Sequence, residues 1–242
     1  MAGDKFIESS YEKALIALFQ ELGYTYECGY DVERDYREPF YREVLEASLK
    51  RLNKGVSADI LAEGLKMVTN LNEGTLIQDN RRFTEMLQNG FAVPYLENGE
   101  NRTATLRLVD FEQPLANDFR IVNQWSVEEL GKIRCDMVVM INGLPLVVVE
   151  LKTASDENVT IEDAYLQIRN YMKKCPSLFG YNAFSVISDL AQSKAGTITS
   201  KFERFMAWKS EDGNYENKLI ADYATFFKGI FMRERLIDIL KN

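Results

Sequence analysis

Ile133-Arg134-Cys135-Asp136-Met137-Val138-Val139-Met140-Ile141-Asn142-Gly143-Leu144-Pro145-Leu146-Val147-Val148-Val149-Glu150-Leu151-Lys152 is the stretch whose reading decides the fold. Residues 133–140 and 144–151 are rich in Val, Ile, Leu and Met, each run has strand length, and they are joined at Asn-Gly. Asp136, Glu150 and Lys152 are thereby carried into an apolar hairpin that would otherwise exclude charge. An unpaired charge there is costly, so the residues predict either a salt bridge or a metal site.

The register of the hairpin decides which groups meet. A two-residue Asn142-Gly143 turn pairs Ile141 with Leu144 and sets Asp136 opposite Val149. Glu150 and Lys152 then point away from Asp136, because side chains alternate faces. A three-residue loop, Ile141-Asn142-Gly143 with the glycine left-handed in a bulge, pairs Met140 with Leu144 and sets Asp136 against Val148. Arg134, Asp136, Glu150 and Lys152 then share one face. This second register is the one expected, since it gathers the charge on one side; a local distortion at Asp136 would rescue the first.

The 242 residues, 46% hydrophobic and 12% aromatic, suffice for one large domain or a core with attachments. No apolar run of ~18 residues could span a membrane, and the N-terminus lacks a signal-peptide pattern. The scattered Cys28, Cys135 and Cys175 make neither a disulfide framework nor a zinc site, which fits a cytoplasmic protein. Histidine is absent, which removes Ser-His-Asp and Cys-His hydrolases, histidine-metal nucleases and histidine-based phosphoryl transfer. There is no phosphate loop for ATP. Acid chemistry must rest on carboxylates, lysine, tyrosine and a divalent metal held through oxygen. The net charge is −8, 29 basic against 37 acidic residues, the wrong sign for a protein that captures DNA by itself.

Around the hairpin, Ser9-Ser10-Tyr11-Glu12 fits a capping box for a helix from about Ser10 to Leu22, stopped by Gly23. Glu12 is then a helix cap, at the edge of a stripe of Leu15, Leu18, Phe19 and Leu22. Residues 24–90 read as further helices, including Tyr41 to Asn53 and Ser57 to Val68, with Arg34, Arg37, Arg42, Lys50 and Arg51 on a solvated face. Gly90 to Arg107 reads as turn and strand, and Asp118 to Trp125 as a strand feeding the hairpin. Thr160-Ile161-Glu162-Asp163 opens a helix with a second capping box, which runs to about Lys174 and carries Gln167 and Tyr171 on one face. Phe184 to Ser188 reads as a buried strand and Gly196 to Thr199 as a short edge strand. Phe202 to Trp208 suggests a helix or an aromatic connection, Ser210 to Asn214 a loop, and Leu219 to Leu240 an amphipathic segment. Its uncapped end suggests that a further domain follows.

Asn117-Asp118-Phe119-Arg120-Ile121-Val122-Asn123-Gln124, Arg134-Cys135-Asp136, and Asn142-Gly143-Leu144-Pro145-Leu146-Val147-Val148-Val149-Glu150-Leu151-Lys152 together resemble the N-terminal nuclease domain of the restriction (motor) subunit of type I restriction–modification enzymes. Gln167-x-x-x-Tyr171 matches that family's glutamine–tyrosine motif. Asn182 to Asp189 and Gly196-Thr197-Ile198-Thr199 with Trp208 continue the match, and Phe227-Lys228-Gly229-Ile230-Phe231 through Leu240 resembles the connector before the motor. The likeness is dense from 117 onward and thin between 30 and 115. Cys135 stands where the family usually has proline, which shapes backbone but supplies no ligand.

The resemblance implies an α/β fold of the PD-(D/E)XK superfamily: a mixed central sheet flanked by helices, a restriction-endonuclease-like core at about 110–210 and an added N-terminal helical region. It implies a nuclease domain over 1–215 and a helical connector over 216–242, leading to a motor domain outside this chain. Asp136, Glu150 and the Leu151 carbonyl would bind Mg²⁺, with Mn²⁺ as substitute, and Lys152 would orient or activate the attacking water. Glu12 matches a helical glutamate that often completes such sites. Gln167, Tyr171 and Arg134 would support the site or touch DNA. The implied partners are double-stranded DNA, modification (methyltransferase) and specificity subunits, and the motor domain, where alone ATP would act. The alternative reading is a catalytically silent docking or coupling module, in which Asp136, Glu150 and Lys152 are a structural ion-pair cluster.

Overall fold

The computed structural model describes residues 2–72, 74–152, 160–211 and 223–242, with side chains from Ser10 onward. Six strands form one mixed sheet: β1 (Thr25–Cys28), β4 (Phe119–Glu128), β5 (Lys132–Ile141), β6 (Leu144–Leu151), β7 (Phe184–Ser188) and β8 (Ser193–Gly196), in the order β1-β4-β5-β6-β7-β8. The β1–β4 and β6–β7 pairs are parallel and the others antiparallel. Strands β6 and β7 are buried on both faces, which is why β6 reads as an apolar run up to Glu150 and why the serines of β7, Ser185 and Ser188, are buried too. A separate hairpin, β2 (Phe91–Glu97) and β3 (Glu100–Leu106), takes up the region read as turn and strand.

One face of the sheet is covered by α1 (Ala2–Glu21), α2 (Arg42–Leu52), α3 (Ala58–Thr69), α4 (Leu76–Asn89), α7 (Tyr223–Phe231) and α8 (Arg233–Lys241). Phe19 of α1 packs edge-on against Tyr24, Phe227 and Phe231, and the C-terminal helices share the core of the N-terminal one. The other face carries α5 (Ile161–Lys174) and the short α6 (Pro176–Gly180), packed on Trp125, Val138 and Val148. The second capping box is present, with the Thr160 backbone N–H donating to Asp163 Oδ2 at 2.8 Å.

Several expectations are corrected. Helix α1 runs from Ala2, so Ser9 and Ser10 lie inside it and Glu12 caps nothing. A four-residue strand, β1, stands where only helices were expected; it is short and held by parallel pairing to β4, which local sequence cannot report. The edge strand ends at Gly196, because Thr197 turns, with its N–H bonded to Ser200 Oγ. The C-terminal segment is two helices broken at Met232, not one. Arg34 is half-buried, 3.4 Å over the Trp125 ring, whereas Arg51 is exposed as expected, although its guanidinium also donates to Asn142 Oδ1 at 2.9 Å. The loop expected beyond Glu211 and the start of the segment from Leu219 lie outside the described residues.

Neither hairpin register holds along its whole length. The turn is the two-residue one, with Asn142 and Gly143 both left-handed at φ +53° and +82°, and Ile141 opposes Leu144. Asn142 is fixed there by its side chain, which accepts from the Asp118 backbone N–H (2.8 Å) and donates to Leu108 O (2.9 Å). Past the turn the pairing slips: Met140 opposes Pro145, but Val139 opposes Val147, leaving Leu146 as an extra bulged residue. Proline tolerates that setting, since a bulge interrupts the hydrogen-bond ladder it cannot donate to. The slip restores the parity lost at the turn. Met137 opposes Val149, and one residue beyond, Asp136 lies on the Glu150 side of the sheet, close enough to act on its carboxyl.

Candidate active site

The bulge brings Asp136 and Glu150 together, as the favoured register was expected to, by a different route, but it does not bring the Arg134 side chain with them. Asp136 is locked in place because its Oδ2 accepts the Leu151 backbone N–H at 2.8 Å. Glu150 is fully buried; its Oε1 accepts from Lys152 Nζ at 2.7 Å, while its Oε2 has no hydrogen-bond partner. Lys152 follows the last residue of β6 and is bound to β7 through its backbone N–H on Ser188 O at 2.7 Å. Its ammonium also donates to Gln167 Oε1 at 2.9 Å.

Gln167 and Tyr171 extend this chain of contacts along α5. Gln167 Nε2 donates to the Tyr171 hydroxyl at 2.6 Å, and that hydroxyl donates to the backbone carbonyl of Arg134 at 2.8 Å. Burial pushes the Tyr171 hydroxyl above the ordinary phenol range, so it acts as a neutral donor. The glutamine–tyrosine pair thus orients Lys152 from one side while Glu150 holds it from the other.

Arg134 does not join the cluster by its side chain. Its guanidinium is exposed and donates to the Tyr30 hydroxyl at 2.7 Å; only its carbonyl serves the site. Glu12 is held against β4: its carboxylate accepts from Asn123 Nδ2 and, at 3.2 Å, from Gln124 Nε2. Asn123 and Gln124 lie on β4 across from the Asp136 stretch of β5. Sequence reasoning gave these two amides no role. Their only signal was membership of the Asn117–Gln124 run.

Burial pushes the Glu150 carboxyl well above its usual range, the facing Asp136 carboxylate pushes it further, and the Lys152 ammonium only partly offsets both. Burial likewise raises the Cys135 thiol, which stays protonated and is no thiolate ligand. An added cation would satisfy the orphaned Glu150 Oε2 and neutralise two facing carboxylates. Among the described residues no group of three or more acidic or thiol side chains converges on one point. The donor set is thus two carboxylates plus backbone oxygen, hard and few. That fits Mg²⁺, which keeps several waters and is held by one or two carboxylates and substrate phosphate. No helix among the described residues is long and apolar enough to cross a membrane.

The model of the family described as type I restriction enzyme R protein N terminus matches residues 5–204. The chain is 31% identical, over 96% of its length, to the candidate type I restriction enzyme MjaIXP endonuclease subunit of Methanocaldococcus jannaschii. It is 30% identical, over 97% of its length, to the type I restriction enzyme HindI endonuclease subunit of Haemophilus influenzae. It spans 25% and 23% of those two relatives. The EcoprrI endonuclease subunit of Escherichia coli is 30% identical over 59% of the chain and 46% of the relative.

Proposed function

Because the chain belongs to the family of type I restriction enzyme R protein N termini, we propose that it is a Mg²⁺-dependent endonuclease module. It hydrolyses phosphodiester bonds of double-stranded DNA within an ATP-dependent type I restriction enzyme. The observation that carries this reading is the buried, unpartnered Glu150 Oε2, on the face it shares with Asp136 and beside the Lys152 ammonium. Such an arrangement is unfavourable in isolation and favourable around a hard cation.

Asp136, Glu150 and the Leu151 carbonyl would hold the ion. When bound, it polarises the scissile phosphate and lowers the pKa of a coordinated water. Lys152 Nζ, held by Glu150 Oε1 and Gln167 Oε1 at 2.7 and 2.9 Å, orients the attacking water. Its charge stabilises the negative charge that builds on the phosphate oxygens. Tyr171 acts through Gln167, and Glu12 of α1 is held by Asn123 and Gln124 of β4. ATP, the DNA-translocating motor and the modification and specificity subunits belong to the rest of the assembly. That division fits a chain with a net charge of −8, which needs DNA delivered to it.

The test is alanine substitution of Asp136, Glu150 and Lys152, one at a time, in the complete restriction enzyme. Cleavage should disappear while DNA translocation persists; unchanged cleavage would overturn the reading. One observation favours a second reading: the closed Lys152–Glu150 ion pair at 2.7 Å, which also suits a silent docking module. That reading requires that Mg²⁺ and Mn²⁺ leave thermal stability unchanged.

A further inference from the structure

On β4 and β5 the alternation of faces breaks at one shared point. Ile121, Met137 and Val139 lie in the α1-side core, and Val122 and Val138 in the α5-side core. By strict alternation Trp125, Val127, Ile133 and Cys135 belong with the former, yet all four lie in the α5-side core. The pairing register does not change across this point. Asn123 opposes Met137 and Trp125 opposes Cys135, with Gln124 and Asp136 left out between them. Both strands therefore turn over at the Gln124–Asp136 position.

Gln124 has the backbone to do this. Its φ is +54°, left-handed for a residue that has a side chain, and such outliers persist only where the surroundings impose them. The surroundings are visible. The Gly29 N–H donates to Asn123 O at 2.8 Å. A Cβ on Gly29 would lie 2.7 Å from Gln124 O and 2.8 Å from Asn123 O, so the turn after β1 must be glycine for β4 to kink there. The Gln124 side chain points to Glu12 Oε2 at 3.2 Å, and Asn123, which binds the other oxygen, accepts from the Tyr26 hydroxyl at 3.2 Å.

We propose that Gln124 is a positioning residue of the hydrolytic site: its left-handed backbone sets the turnover of β4 and β5 that runs beside Asp136, and its amide fixes the Glu12 carboxylate against β4 at that same point. The inference rests on the nuclease reading and deepens it by assigning a residue that touches neither the carboxylate pair nor the lysine. It separates two tasks, a backbone one that any left-handed residue performs and a side-chain one that needs an amide.

The experiment is a Mn²⁺ titration of the 242-residue chain, read by thermal shift and calorimetry, for wild type, Gln124→Gly, Gln124→Asn and Gln124→Ala. Glycine keeps the left-handed backbone and drops the amide; asparagine tolerates that backbone and keeps an amide; alanine keeps neither. Gln124→Ala should weaken Mn²⁺ binding about tenfold or more, Gln124→Gly roughly threefold, and Gln124→Asn least, the scale of losing a group that orients metal ligands. Alanine no weaker than glycine would overturn the backbone role, and glycine equal to wild type would overturn the amide role. If Gln124→Ala does not fold, Gly29→Ala, which presses on the same carbonyls from β1, replaces it and should lower affinity similarly. A wild-type chain without any Mn²⁺ response would overturn the nuclease reading itself and this proposal with it. Failure of the proposal alone leaves the wild-type response intact.

Discussion

Glu150→Gln should stabilise the metal-free protein, against the usual outcome of removing one member of a buried ion pair. In the wild type, Oε2 is a buried acceptor with no donor and faces Asp136. An unsatisfied buried acceptor costs about 1–3 kcal/mol, more when charged. Glutamine keeps an oxygen for the Lys152 ammonium, now 2.7 Å from Oε1, and offers an NH₂ where Oε2 stood. The loss is the charge assistance in one hydrogen bond, roughly 1 kcal/mol. The net gain is therefore up to about 2 kcal/mol, or up to ~8 °C in Tm for a chain of this length. The assay is thermal unfolding in a chelator at about pH 7.5, well above the ordinary carboxylate range.

The pH dependence follows from the direction of the Glu150 shift. Its folded pKa is raised above the ordinary 4.5, so the folded state holds the proton more tightly than the unfolded one. The stability this contributes is complete below 4.5 and is lost as pH rises through the folded value. The two proteins should match at about pH 4 and diverge upward, with the variant ahead. Mn²⁺ should reverse the order: saturation at about a hundredfold over Kd adds about 2.7 kcal/mol to wild type alone. A variant less stable than wild type in chelator at the higher pH would refute the reasoning, because Glu150 would then be a satisfied structural partner of Lys152. Breaking such a pair costs about 3–5 kcal/mol.

Three further outcomes follow from other parts of the structure. Gly143→Ala should cost about 2–4 kcal/mol in denaturant unfolding, since its Cβ would sit 2.5 Å from Leu45 N and 2.7 Å from Tyr41 O at a φ of +82°; a loss below about 1 kcal/mol would mean that α2 can back away from the turn. Tyr171→Phe removes the donor to Arg134 O and the acceptor for Gln167, so Tm should fall by ~2–8 °C, corresponding to about 1–2 kcal/mol. The isolated chain, with its net charge of −8, should bind double-stranded DNA weakly in a filter or anisotropy assay, and tight, salt-sensitive binding would contradict that expectation.

The parts of the fold legible in the sequence are those set by local pattern. The 133–152 hairpin, the α5 helix with its capping box and the buried β7 all stand within a few residues of where periodicity put them. What escaped was decided by distant pairing. The Ser9-Ser10-Tyr11-Glu12 box is a sound local cap signal, yet α1 extends through it to Ala2, and Glu12 spends its carboxylate on Asn123 and Gln124, 111 and 112 residues away. The left-handed Gln124 has no marker in sequence at all, because glutamine is not a residue that favours positive φ.

The hairpin register is the most instructive case, because the conclusion survived while its premise failed. Side chains in a strand have period two, so face sharing depends only on whether the register sum is odd or even. A three-residue loop and a two-residue turn followed by a one-residue bulge give the same parity, and Asp136 meets the face of Glu150 by either route. The difference lies in the partner. With the bulge at Leu146, Met137 opposes Val149, where the loop would have set it across from Val147. One residue beyond that pair the Asp136 carboxylate lies near enough to Glu150 to add to the burial that raises its pKa. The one hint was Pro145 inside an otherwise central strand, a position proline takes only where the ladder is already broken. A proline beside the turn of an acid-bearing hairpin therefore signals a bulge, and with it the parity that decides which side chains of the two strands share a face.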